Sequence, residues 1–211
     1  MIKIVIADDH DIVRAGLKQI ISDSRDMKVT GESVNAEQLI ELVKKNDYDV
    51  VLLDLKMSGM NGLDAIKHIK LLKPHLPVIV LSMHAEDQYA VRTIRAGASG
   101  YITKETASEN LIAAIKKAVA GGRYISPALA ESLADSIALG GNEAPHDALT
   151  DREFQVMCMI ASGRSVSEIG SELFLSVKTI STYRHRILSK MNMKNNSEIT
   201  HYVIKNNLLD I

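Results

Sequence analysis

The segment VVLLDLKMSGMNG at residues 50–62 decides the fold. Four apolar residues, Val50 to Leu53, run without alternation into Asp54, and a loop carrying Gly59 and Gly62 follows. An unbroken apolar run of strand length fits a strand buried on both faces, as in a parallel sheet with helices on either side. Such a strand delivers one carboxylate to the rim of a sheet, beside a pliant loop.

Outward from this point the same pattern repeats. Short apolar, β-branched runs predict strands at residues 2–7, 29–33, 50–53, 78–81 and 100–102. Between them, apolar residues three and four apart mark helices: Val13, Leu17, Ile20 and Ile21; Leu39, Leu42 and Val43; Leu63, Ile66 and Ile69; Val91 and Ile94; Leu111, Ile115 and Val119. Five βα repeats imply a doubly wound parallel sheet. Asn35 with Gln38, and Thr106 with Glu109, have the spacing of capping boxes at the second and fifth helices.

The pattern changes after Gly121-Gly122. Pro127 suits the first turn of a linker helix over about 127–139, and Gly140, Gly141 and Pro145 predict flexible chain over 140–148. Beyond Leu149 only helical periodicity remains. Thr150 with Glu153 and Ser165 with Glu168 form two further capping boxes, and Ser176 caps the run VKTISTYRHRILSKM. Phe154, Met157 and Ile160 or Ala161 share one face of the first of these helices, and a short helix over about 197–205 closes the chain. The expected division is therefore 1–122, a linker at 123–147 and a small helical domain at 148–211.

Composition narrows the classes. The 211 residues with 46 % hydrophobic content suffice for two ordinary domains, and 25 basic against 26 acidic side chains leave the net charge at −1. Cys158 is the single cysteine, so no internal disulfide can form. No apolar run reaches the roughly 18 residues that span a bilayer, and no signal-peptide pattern opens the chain. A cytoplasmic protein is expected.

Ligands of such sheets bind at the carboxyl ends of the strands, near the switch in strand order. With the order 2-1-3-4-5 known from flavodoxin-like sheets, strand one ends in Asp8-Asp9, strand three in Asp54 and strand four in Ser82, and Lys104 follows strand five. Crowded carboxylates repel one another unless a cation relieves them, and Mg²⁺ prefers such oxygen donors. A remaining carboxylate can attack phosphorus to form an aspartyl phosphate. Asp54 beside the glycine loop is the expected nucleophile, with Lys104 and the Ser82 hydroxyl meeting phosphate oxygens. Taken singly, each residue is ordinary, since an Asp after a strand often only forms a turn. Their coincidence at the ends of strands one, three, four and five carries the reading.

The segments DDH, LLDLKMSGMNG, LSMHAE and AGASGYITK closely resemble the receiver domain of two-component response regulators, whose CheY-like fold is the flavodoxin-like sheet above. The resemblance covers roughly residues 1–122. It implies phosphorylation at Asp54, Mg²⁺ held by Asp8, Asp9, Asp54 and the backbone carbonyl of Lys56, a Ser82–Tyr101 switch pair, and Lys104 as the phosphate-binding lysine. Phosphorylation would draw Ser82 inward and leave space for Tyr101, altering the surface of strand four, helix four and strand five. Two positions depart from the family pattern: Ser58 replaces the usual proline, and Met83 stands where a small residue is common.

The second half holds a different signal. Residues 176–196 contain Lys178, Arg184, Arg186, Lys190 and Lys194 and no acidic side chain. Such a stripe suits phosphates, although a charge run on a small bundle can also be a solvated face. Ile180, Ile187 and Met191 point to a packed face, and Lys178, Ser181, Thr182, His185 and Ser189 to an outward one. The preceding helix at 166–174 gives helix-turn-helix spacing. The run from LTDREFQVM to RHRILSKM resembles the LuxR-type DNA-binding domain of NarL/FixJ regulators. That resemblance implies base-edge contacts from Ser181, Thr182 and His185 and phosphate contacts from Lys178, Thr179, Tyr183 and Arg186. The family often has lysine at the position of Ser181 and histidine at that of Tyr183.

Together these readings predict a non-enzymatic transcription regulator: a sensor histidine kinase phosphorylates Asp54, and the protein binds double-stranded DNA as a homodimer. Alternatives are a regulator that binds DNA without phosphorylation and an aspartate-nucleophile phosphatase. Haloacid-dehalogenase-like phosphatases carry a second aspartate two residues after the nucleophile, where this chain has Lys56.

Overall fold

The computed structural model describes residues 1–57, 59–83, 88–138, 144–206 and 208. Two compact units emerge, Met1–Leu133 and Ala134–Ile211.

In the first unit five strands, β1 (Ile2–Ala7), β2 (Met27–Ser33), β3 (Val50–Asp54), β4 (Val78–Ser82) and β5 (Gly100–Thr103), form one parallel sheet in the order β2-β1-β3-β4-β5. The helices between and after them are α1 (Asp11–Ser22), α2 (Ala36–Lys45), α3 (Gly62–Leu72), α4 (Gln88–Arg95) and α5 (Ala107–Val119). Alternation along the strands sorts the core into two layers. Val5, Val51, Leu53, Val78, Val80 and Tyr101 pack with residues of α2, α3 and α4. Ile4, Ile6, Val50, Leu52, Ile79, Leu81 and Ile102 pack with residues of α1 and α5. All of β3 is buried, which explains its unbroken apolar run.

Register then aligns the strand ends. Ala7 pairs with Leu53, Asp54 with Leu81 and Ser82 with Thr103. The ladder continues one step beyond the strands, with Asp8 N–H donating to Ser33 O at 3.2 Å and Lys104 N–H to Ser82 O at 2.7 Å. Asp8, Asp54, Ser82 and Lys104 therefore reach one rim. At the far edge Tyr124 bridges alongside Gly100 and accepts the Tyr101 N–H at 3.3 Å, covering part of the exposed edge of β5. Helix α6 (Pro127–Ala138) begins in this unit, where Leu129 is buried and Leu133 packs beside it.

Three local expectations are corrected here. Asn35 caps α2 by accepting the Gln38 N–H at 2.9 Å, but the Gln38 side chain turns to Val34 N–H rather than to Asn35. The Thr106 hydroxyl makes no cap; it lies 2.9 Å from the Thr103 hydroxyl, a nearer partner offered by the end of β5. Residues 145–148, expected to be flexible, form a 3-10 turn, and 140–143, like Leu139, lie outside the described residues.

The second unit holds α7 (Asp151–Ala161), α8 (Val166–Glu172), α9 (Val177–Lys190) and α10 (Asn196–Lys205). The Thr150–Glu153 and Ser165–Glu168 capping boxes form, Ser176 caps α9, and Asn195 caps α10. Nearly every residue of α7 from Glu153 to Ala161 is buried, so it is the central helix of the bundle rather than a one-faced one. Its carboxylate Glu153 is 2 % exposed and accepts from Thr150 N–H at 2.8 Å and Lys190 Nζ at 2.7 Å.

The turn between α8 and α9 closes by two bonds, Phe174 N–H to Ser171 O and Leu175 N–H to Gly170 O, the double closure of a helix end that normally carries glycine at the left-handed position. Here Phe174 occupies it, at φ 54°, and the residue is 73 % exposed. A Cβ on Gly170 would meet Leu175 O at 2.9 Å, so the same turn also demands glycine four residues before Phe174.

Two stability measurements follow. Phe174→Asn should stabilise the second unit by about 0.5–1 kcal/mol in chemical denaturation, since asparagine tolerates the left-handed region. Burial works to raise the Glu153 carboxyl, but Lys190 and Thr150 outweigh it and hold it below its ordinary value. Its stabilisation is then present above the ordinary carboxylate range and lost as pH falls through the lowered value. Glu153→Gln should cost about 1–3 kcal/mol at neutral pH and flatten the acid limb of the stability–pH curve.

Candidate functional site

At the rim of the sheet Lys104 stands between two buried acids. Its Nζ lies 2.7 Å from Asp54 Oδ2 and 2.7 Å from Asp8 Oδ2. The carboxylates are 2 % and 1 % exposed and the lysine 10 %. The bond to Asp54 has hydrogen-bond alignment, while Asp8 Oδ2 meets the ammonium as an ion pair only. Asp54 Oδ1 accepts the Lys56 N–H at 3.1 Å, turning the loop after β3 over the carboxylate.

Asp9 is exposed at the lip, and His10 joins it. His10 Nδ1 lies 2.8 Å from Asp9 Oδ1 and 3.2 Å from Asp8 Oδ1, and its N–H donates to Asp8 Oδ1 at 2.8 Å. One ligand atom from each of Asp8, Asp9, His10 and Asp54 falls within 4.8 Å of all the others. Sequence reasoning had the DDH segment in view and passed over its histidine, for which adjacency to two acids was the available signal. Arg14 of α1 adds a further support, donating to the Asp8 backbone carbonyl at 2.7 Å and to Asp11. The β3–α3 loop is held from α2, where Glu37 Oε1 accepts the Met60 N–H at 3.1 Å beside Gly59, itself at φ +90°.

Electrostatics follow from this crowding. Burial pushes the Asp54 carboxyl above its ordinary value, with Asp8 adding to the effect and Lys104 and the Lys56 N–H acting against it. Burial works against the Lys104 charge, but its pairing with the Asp54 and Asp8 carboxylates outweighs that, and its pKa is raised. Ser82 is buried at the end of β4, and Tyr101 on the edge strand β5 is fully buried within the α2–α3–α4 layer. Met83 is 64 % exposed at the rim, and Ser58 lies outside the described residues.

In the second unit α9 presents Lys178, Ser181, Thr182, His185, Arg186 and Ser189 as exposed residues, with Thr179 and Tyr183 half-buried and Ile180, Ile187 and Met191 packed inward. Two of the five cations counted from sequence serve the bundle instead. Lys190 is drawn to Glu153 and Ala148 O, and Arg184 Nε donates to Asn196 Oδ1 at 2.6 Å. A charge stripe cannot reveal this, because the partners come from α7 and α10.

Residues 4–116 match the response regulator receiver domain, and residues 147–203 match the luxR family of bacterial regulatory proteins. The chain belongs to the NarL/FixJ response regulators. The response regulator UvrY of Escherichia coli is 37 % identical over 99 % of this chain and 96 % of its own length. The response regulator GacA of Pseudomonas aeruginosa is 36 % identical over 100 % and 99 %. A structure of RcsB from Salmonella enterica serovar Typhimurium, bound to promoter DNA in the presence of a phosphomimetic, superposes with a TM-score of 0.61 at 27 % identity over 99 % of both chains. The response regulator thus pairs a phosphorylation-responsive receiver with a DNA-binding module. No described helix is long and apolar enough to cross a membrane.

The Lys104 bridge predicts its own energetics. Lys104→Met leaves two buried carboxylates without a cation and should destabilise the receiver unit by about 3–5 kcal/mol at neutral pH in urea unfolding. The loss should shrink as pH falls, because a protonated carboxyl no longer needs the cation.

Proposed function

We propose that Asp54 accepts a phosphoryl group from a sensor histidine kinase and that this event promotes homodimeric binding of the chain to specific DNA, in the cytoplasm. The working limits are 1–122 for the receiver, 123–147 for the linker and 148–211 for the DNA-binding domain. A carboxylate oxygen of Asp54 forms the bond to phosphorus as the phosphorus–nitrogen bond of the phosphohistidine breaks, leaving the imidazole on the kinase. The observation that carries this reading is the Lys104 Nζ at 2.7 Å from both Asp54 and Asp8, a fixed positive charge beside the acid that ends the fully buried β3.

The donor set fits a small hard cation. Three carboxylates converge, and Asp8 Oδ2 is buried with only an ion pair to satisfy it. Asp8, Asp9, Asp54 and the Lys56 carbonyl are the residues that would hold Mg²⁺. When bound, the ion neutralises charge on the phosphoryl oxygens. Lys104 and the Ser82 hydroxyl bind the other oxygens, and Tyr101 follows the movement of Ser82 to change the surface around β4, α4 and β5.

On α9, Ser181, Thr182 and His185 face base edges, while Lys178, Thr179, Tyr183 and Arg186 meet phosphates. Each module is small, and pairing across two half-sites raises both affinity and discrimination. Acetyl phosphate with Mg²⁺ should add one phosphoryl group per chain by intact mass and tighten binding to a selected duplex; Asp54→Ala should show neither. Equal DNA affinity of the two proteins under those conditions overturns the proposal.

A further inference from the structure

Two neighbouring hydroxyls on the exposed face of α9 differ in what they can offer a base. Thr182 Oγ1 donates its proton to the Lys178 carbonyl one turn back, at 2.9 Å. Among the described residues Ser181 Oγ makes no such bond. A hydroxyl has one proton and two lone pairs, so Thr182 is left as an acceptor with a methyl group at its side, whereas Ser181 can turn to donate or accept. As a β-branched residue in a helix, Thr182 has few rotamers, and the one that back-bonds to the carbonyl fixes its methyl direction as well.

The major groove distinguishes these chemistries. Guanine presents only acceptors there, N7 and O6, and repels a side chain that can only accept. Cytosine offers an amino donor but no methyl. An A·T pair offers both in one edge: the adenine N6 amino group as donor and the thymine C5 methyl as an apolar partner. We infer that Thr182 specifies an A·T pair in each half-site, accepting from adenine N6 and packing its methyl on thymine, while Ser181 tolerates more than one base at its position. The inference rests on the DNA-binding reading of α9 and deepens it, because it assigns a hydrogen-bond polarity that the exposed face alone does not give.

The test uses the full-length phosphorylated chain. A half-site is first obtained by selection from randomised duplexes, and affinities are then measured for wild type, Thr182→Val and Thr182→Ser. Thr182 is exposed, so both variants should fold as wild type does. Valine keeps a methyl and removes the acceptor; serine keeps the hydroxyl and removes the methyl.

At one A·T pair, replacing thymine by uracil should weaken wild type about fourfold, the worth of one buried methyl. It should leave Thr182→Ser unchanged. Replacing adenine by purine, which lacks the amino group, should weaken wild type roughly fivefold, the lower end of the discrimination a good base contact gives. It should leave Thr182→Val unchanged. A selected G·C or C·G pair at the position that responds to Thr182 substitution, or no responding position in a duplex that wild type binds specifically, overturns the inference. Failure of wild type to enrich any sequence sinks the DNA-binding reading itself, and this inference with it.

Discussion

The placement of one ammonium between two buried carboxylates is the constraint on which the first unit depends. Asp8 and Asp54 are carried there by β1 and β3, whose burial on both faces leaves no room for them to swing into water. Two negative charges so confined are tolerable only with a cation between them. Lys104 supplies it because the β4–β5 register brings Thr103 opposite Ser82 and the next residue continues the ladder to the rim. The same contacts hold Asp54 in place at the end of β3 and compensate its charge there.

That logic explains which features were legible in the sequence. The strands announced themselves because residues buried on both faces must be apolar throughout, and the polar residue that ends each run marks where the strand leaves the core. Asp8, Asp54, Ser82 and Lys104 could be assembled from that rule plus a strand order. What escaped were contacts between elements whose sequence separation carries no periodic signal: Glu37 reaching the Met60 amide, Arg14 reaching back to the Asp8 carbonyl, and His10 folding onto its two acidic neighbours. The Thr106 cap failed for a similar reason, since a hydroxyl chooses the nearest good acceptor or donor, and the end of β5 supplied Thr103 before the α5 amides could compete.

In the second unit the division between scaffold and surface was half visible. Helical periodicity separated Ile180 and Ile187 from Ser181 and His185, because burial is written in residue type. Charge is not written that way. Lysine and arginine stems lie along apolar surface and their heads go wherever a partner waits, so Lys190 turning to Glu153 and Arg184 to Asn196 could not be told from Lys178 or Arg186 on sequence alone. Glu153 is the pivot: as the third residue of α7 it closes a capping box, and as a buried acid it draws Lys190 from α9, so the orientation of the recognition helix is tied to the start of the bundle.

This withdrawal of charge bears on how signalling reaches DNA. With Arg184 and Lys190 committed to the bundle, Lys178, Arg186 and Lys194 remain as the cations of residues 176–196 whose side chains make no hydrogen bond or ion pair among the described residues. Each phosphate neutralised contributes a slope of about −0.9 in log affinity against log salt, so fewer cations on the DNA mean a shallower salt dependence for each copy. Two copies on one site double that slope and square the selectivity of the base contacts. A receiver that only brings two copies together therefore needs no change in the helix-turn-helix itself to turn phosphorylation into occupancy. The fewer phosphates one copy neutralises, the larger the share of affinity that pairing two copies on one site supplies.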